Sequence, residues 1–445
     1  MQNLDLVIEN GICVLPSQTD PEKLVLAQVS VGIREGKIVE IAQTISTPAA
    51  KRFDARGLHV LPGVIDSQVH FREPGLTHKE DLESGTRGAA LGGVTAVYEM
   101  PNTNPSTLTK LDLEAKFNLA KGRTWCDHAF FMGAASENAD HLAELETLPG
   151  CVGVKIFMGS STGSLLVWDD ETLTRCLSSG KRRVAIHAED EVRLKERKAI
   201  LGDHPNVGQH HIWRDDQTAI LATQRILAIA RKTKRPIHVL HITTAEETEI
   251  LAQAKDIATF EITPQHLYFS APECYERLGT YAQMNPPIRE EKHRQGLWKA
   301  IVSGNATVIG TDHAPHTKEE KSKPYPQSPS GMTGVQTMVP ILLDFISKQK
   351  LSLERMVELV CRNPARIYGA KYRGEIKIGN LASFTVVDLN REQTITNSMI
   401  ASKSAWTPYD GVKVKGWPIA TIIRGNVVMR DGQTIGSPLG EPVSF

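Results

Sequence analysis

The sequence predicts an α/β protein: a parallel (β/α)8 TIM-like barrel carrying a small β-sandwich subdomain formed from both termini. Three observations predict it. Between residues 58 and 374 the chain alternates apolar, β-branched runs with helix-like segments, and eight such runs can be counted. Before residue 58 and after residue 374 the pattern becomes short strands separated by turns. The 445 residues leave room for a barrel of roughly 250 to 320 residues plus an accessory unit.

Taken in order, residues 4–56 hold LDLVIENGICVL and LAQVSVGIREGKIVEIAQ, with Asn10-Gly11 and Glu35-Gly36-Lys37 as turn signals. The barrel strands are expected at 59–66, 95–101, 126–134, 152–159, 183–189, 236–243, 258–264 and 306–315. Amphipathic stretches such as DLESGTRGAALGG and DDQTAILATQRILAIARKT lie between them, the second with Lys and Arg toward its end, as a helix C-terminus favours. After residue 374, EIKIGNLASFTVVDLN and WPIATIIRGNVVMRDGQTI return to strands and hairpins. Residues 1–57 and 375–445 are therefore expected to form one subdomain, and 58–374 the barrel.

Composition excludes several classes of function. Lys and Arg together number 51, as do Asp and Glu, so no net charge favours nucleic acid or an anionic membrane. No apolar run approaches the ~18 residues of a membrane span, and the first residues lack a basic segment ahead of an apolar core. A cytoplasmic protein is expected. The six cysteines are widely spaced with no CxxC pair, which argues against a disulfide framework or a cysteine zinc site.

His70, Lys155, His187, His241 and Asp312 fall at or just beyond the carboxyl ends of the first, fourth, fifth, sixth and eighth expected strands, the face where a barrel of this kind does its chemistry. Each alone has an ordinary explanation: a hydrogen-bonded core histidine, an ion-paired lysine, an aspartate capping the next segment. Their recurrence on one face of one pattern favours a site. Neutral imidazoles and carboxylates suit zinc.

The stretch DSQVHFREPG at 66–75, with the ordered set above, resembles the amidohydrolase superfamily and, within it, the dihydroorotase group, over essentially the whole chain. The resemblance implies a metal-dependent hydrolase that opens or closes a cyclic amide bearing a carboxylate. It implies roles as well. His70, Lys155, His187, His241 and Asp312 would ligate metal, Lys155 as a carbamate bridging two ions, and Asp312 would also shuttle the proton. Arg72, Asn102 in MPNTNP, Asn285 in MNPPIR and His316 would bind substrate, with Arg72 gripping its carboxylate. Other cyclic amidases, acting on hydantoins or allantoin, are the alternative enzymes. A homo-oligomer, most simply a dimer, is the expected assembly.

The family's first strand reads His-x-His, whereas this chain reads Gln68-Val69-His70. An amide is a poor zinc ligand, so the position shared by His70, Lys155 and Asp312 is weakened while that of Lys155, His187 and His241 is complete. One tightly bound zinc is expected, with a second only at high supply. A non-catalytic subunit supporting aspartate carbamoyltransferase is the reading from another class. His204, His210 and His211 are expected in a solvated loop, and His266 as a structural hydrogen-bonding residue. His238 and His241 lie three apart on a strand and should face opposite sides. The proline-rich segment 317–334 reads equally as a mobile loop over the site and as a surface connection.

Overall fold

A computed structural model describes residues 3–160 and 165–445. Eight parallel strands follow one another in chain order: Val64–Val69, Val94–Glu99, Asp127–Gly133, Cys151–Phe157, Val184–His187, Ile237–Val239, Ala258–Ile262 and Val308–Ile309. They are almost wholly buried, as parallel strands covered by helices on one face and packed into a barrel on the other must be. A parallel bridge from Val69 to His313 returns the exit of the last strand to the first and closes the ring. Tyr98, Met100, Phe131, Leu240, Tyr368 and Val443 fill one layer of apolar packing with the strands' inward side chains.

The outer helices begin where the sequence places capping groups. Asp81 caps Leu82–Leu91 by accepting from the Ser84 amide, and Asp215 caps Asp216–Thr233 by accepting from Thr218. The second helix buries Ala219, Ala222, Ile226 and Ala230 and ends on Lys234 in the left-handed conformation.

Both termini contribute to a separate nine-stranded sheet. Leu4–Pro16 is shared along one edge by Ala49–Asp54 and then His59–Pro62, which in turn pairs with Phe384–Thr394. Glu35 and Gly36, both at positive φ, turn the hairpin between Leu24–Arg34 and Lys37–Ala42. Arg424 and Gly425 do the same between Lys413–Ile423 and Asn426–Arg430.

Two expected elements differ. The run 59–66 is two strands, because Gly63 lets the chain pass from the terminal sheet into the barrel; a Cβ there would lie 2.3 Å from the Thr95 hydroxyl. Asn10-Gly11 is a bulge inside a continuous strand, with Asn10 at φ 63°, rather than a turn. Among the described residues the six cysteines are free and buried, and no helix is long and apolar enough to cross a membrane.

Candidate active site

At the carboxyl ends of the barrel strands, Gln68, His70, Arg72, Asn102, Phe157, His187, His241, Asn285, Asp312, Ser330 and Gly331 surround a narrow cavity. Three of the non-glycine residues among these carry positive φ: Arg72 at 65°, His241 at 38° and Asp312 at 48°. Non-glycine residues adopt such a backbone at a cost of about 1–3 kcal/mol each, typically where a site demands it. The turn redirects each side chain as its strand ends. Gly331 forms part of the wall; a Cβ there would meet the Ala314 carbonyl at 2.4 Å.

On one side His187 Nδ1 faces His241 Nε2 at 3.0 Å. His187 Nε2 lies 2.9 Å from Glu189, and Glu189 is ion-paired with Arg214. Burial alone would raise the Glu189 carboxyl, but Arg214 and His187 hold it well below the usual carboxylate range. Glu189 is thus an anion that accepts the His187 Nε2 proton, which leaves the Nδ1 lone pair pointed at His241. Burial also lowers both imidazoles, so they are neutral. His241 Nδ1 is buried without a partner.

The opposite side is arranged differently. His70 Nδ1 lies 2.7 Å from Asn102 Oδ1 and its Nε2 3.0 Å from Asp312 Oδ1. The same Asp312 oxygen accepts from the Gln68 amide at 3.0 Å, while Gln68 Oε1 is buried and unpartnered. Here the carboxylate already has a donor in the Gln68 amide.

Lys155 lies between the two sides, acted on by the charge of Asp312 and acting on His187 and His241. It is fully buried over the Phe157 ring, and its Nζ has no hydrogen-bond partner. Burial lowers its amine to about 7. Among the described residues no three His, Cys, Asp or Glu side chains cluster as a ready metal site. Each pair of donors needs Lys155 as its third, and an unpartnered amine of lowered pKa fits conversion to a carbamate. The facing imidazole nitrogens and orphaned amine fit a metal best on the His187–His241 side.

Arg72 forms the polar rim. Its Nε donates to the Pro315 carbonyl at 3.1 Å, and among the described residues no carboxylate pairs with it. Burial lowers the guanidinium to about 10, which leaves it charged at neutral pH. Its Nη2 lies 3.3 Å from His316 Nε2, but that nitrogen must itself donate to the Ser330 carbonyl at 3.0 Å, since Nδ1 accepts from Lys79 at 3.1 Å. Donor faces donor, so Nη2 keeps hydrogen-bonding capacity for an anion.

The sequence reading missed Glu189 and Arg214, whose pairing is visible only once residues 25 apart meet. The expectation of a solvated histidine loop is corrected for two residues. His210 is buried and bonded to Met284, Asn285 and Tyr325, and His211 is buried and stacked on Tyr275; His204 is exposed. His266 bonds Thr263 and the Pro286 carbonyl, a structural role as expected. His238 turns away from His241 to Thr259 and Tyr368. Segment 317–334 is tied down by Lys321, whose Nζ donates to the carbonyls of Gln283, Pro329 and Gly331.

The profile of the amidohydrolase family matches residues 59–428. A dihydroorotase from Pyrococcus furiosus is 36% identical over 93% of this chain and 92% of its own length. An allantoinase from Deinococcus radiodurans is 32% identical over 98% of each. Among solved structures, an L-hydantoinase (dihydropyrimidinase) from Arthrobacter aurescens superposes with a TM-score of 0.92 at 27% identity, covering 99% of this chain and 100% of that one.

Proposed function

The chain belongs to the amidohydrolase family of hydrolytic enzymes, and from that premise we propose that it acts as a dihydroorotase, interconverting dihydroorotate with water and N-carbamoyl-L-aspartate in pyrimidine biosynthesis. The observation that carries the substrate is Arg72. A buried guanidinium with no carboxylate partner opens onto the cavity that holds the His187–His241 pair. The charges of Asp312, Glu99, Glu320 and Glu80 reach the guanidinium, but none pairs with it directly, and a substrate carboxylate would supply that contact. Hydantoin and allantoin offer none.

Zinc suits the nitrogen and oxygen donors, with His187, His241 and a carboxylated Lys155 as the tight set and His70 and Asp312 as the weaker one. When bound, it polarises the scissile carbonyl and acidifies water. The remaining work falls to the chain. Arg72 holds the substrate carboxylate, His316 acts behind it by fixing Ser330 and Lys79 rather than by touching the ligand, Asn102 steadies His70 and the carboxylate end, and Asn285 bonds the ring amide. Asp312 takes the proton from the attacking water. As the ring C–N bond breaks and the carbonyl carbon gains the water oxygen, Asp312 returns that proton to the ring nitrogen. Ser330 and Gly331 complete the cavity wall. With neutral charge and free cysteines, a cytoplasmic homodimer is the setting this reading favours.

One observation favours a non-catalytic subunit instead: the Gln68 amide engages Asp312 where the family has an imidazole. The intact remainder of the donor and substrate set weighs against it. The test is hydrolysis of dihydroorotate beside hydantoin and allantoin, in wild type and Arg72→Met. The specificity constant for dihydroorotate should fall about 10- to 100-fold in the variant, the scale of one charge-assisted bidentate contact, with little change for an uncharged ring. Faster wild-type turnover of hydantoin or allantoin would overturn the assignment.

A further inference from the structure

His210 lies on the short helical segment His210–Trp213 and is buried. Its ring nitrogens face different chemistry. Nε2 is 3.0 Å from the Met284 carbonyl oxygen, which can only accept, so Nε2 carries the proton. Nδ1, 3.2 Å from the Tyr325 hydroxyl, is then the acceptor. The tautomer is fixed at both ends.

The same Nε2–H lies 3.1 Å from the side-chain oxygen of Asn285, a residue of the cavity wall. Seen in isolation, an asparagine amide can present either its oxygen or its NH2 to a ligand, because the two ends exchange by a half-turn. Here a proton that also serves Met284 claims the oxygen, and the NH2 end is left for the cavity. Tyr325 ties the arrangement to segment 317–334. Lys321 fastens that segment to Gln283, two residues before Asn285, and to Gly331 of the cavity wall.

We propose that His210 is a positioning residue that holds the Asn285 amide with its N–H donors in the cavity, so that the site selects a ring presenting a carbonyl oxygen there and disfavours one presenting an N–H. The inference rests on the dihydroorotase reading and sharpens it, because a cyclic amide offers both groups and His210 decides which is read. His210 touches no reacting atom in this scheme. Its loss should act on binding rather than on the chemical step.

The test is a double-mutant cycle on the full chain with dihydroorotate as substrate. His210→Phe should raise KM about tenfold with kcat within about twofold, the scale of one neutral hydrogen bond lost and an amide left free to turn its wrong end inward. In an Asn285→Ala background the same substitution should change KM by less than about twofold, since nothing remains to orient. His210→Gln, whose amide can donate along a similar direction, should recover KM to within about threefold of wild type. An equal effect of His210→Phe in both backgrounds would overturn the inference while leaving the dihydroorotase reading intact. Should His210→Phe fail to fold, His210→Gln decides: a tenfold rise in KM overturns the inference, and near-normal KM supports it. Wild-type protein inactive on dihydroorotate would instead overturn the underlying reading, and the inference with it.

Discussion

The two sides of the barrel mouth hold similar residue types in different states of readiness. On the fifth- and sixth-strand side, His187 has one nitrogen fixed by the Glu189–Arg214 pair and the other aimed at His241, with a buried nitrogen of His241 left unpartnered. On the first- and eighth-strand side, Asp312 already accepts from Gln68 and meets His70. The first arrangement sets two neutral imidazole nitrogens against each other beside the unpartnered Lys155 amine, whereas in the second a carboxylate oxygen is already shared by an amide donor and an imidazole. The contrast teaches that metal affinity depends on what the donors do in its absence, as well as on their identity.

The largest expected effect separates rate from metal retention. Asp312→Asn should lower dihydroorotate turnover by about 10²–10⁴-fold, the usual worth of positioned acid–base catalysis, while the tight zinc on the His187–His241 side is retained. Paired kinetics and metal analysis check this. Loss of the tight zinc in that variant would merge the two sides and break the comparison.

Glu189→Gln attacks the prepared side through its orienting anion. Zinc affinity should weaken by about 10- to 100-fold, as for other partners of metal-bound histidines, measured by competition with a coloured chelator. Unchanged affinity would mean that the Glu189–Arg214 pair serves folding alone.

Much of this was legible beforehand, for identifiable reasons. Strand ends are marked by β-branched runs, so His70, Lys155, His187, His241 and Asp312 could be assigned to one face, and the structure brings His187 against His241 and His70 against Asp312. The helical spacing of apolar residues in 81–93 and 215–233 marked two helices because that signal is local, and the structure places helices at Leu82–Leu91 and Asp216–Thr233. Glu189 and Arg214 could not be read, since a carboxylate beside a histidine gives no sign of the arginine that charges it. The histidines after the fifth strand looked solvated because their neighbours are polar, yet His210 is buried by Tyr325 and Met284, more than 70 residues away. Gly63 marked a passage between two sheets that one continuous apolar run concealed.

A smaller effect concerns Lys155, which both sides share. Burial lowers its amine from 10.5 to about 7, so the uncharged form that reacts with carbon dioxide grows as pH rises, from roughly a tenth of the population at pH 6 to nine tenths at pH 8. At fixed dissolved carbon dioxide, reactivation of metal-stripped protein by zinc should therefore be up to about tenfold faster at pH 8. A rate independent of carbon dioxide at both pH values would remove the carbamate from the account.

The central claim, one prepared and one weakened metal position, is tested most directly by elemental analysis after exhaustive dialysis. The account predicts about one zinc per chain in wild type and a rise toward two in Gln68→His, where an imidazole is restored beside Asp312. Two tightly held ions in wild type, or none, would contradict it.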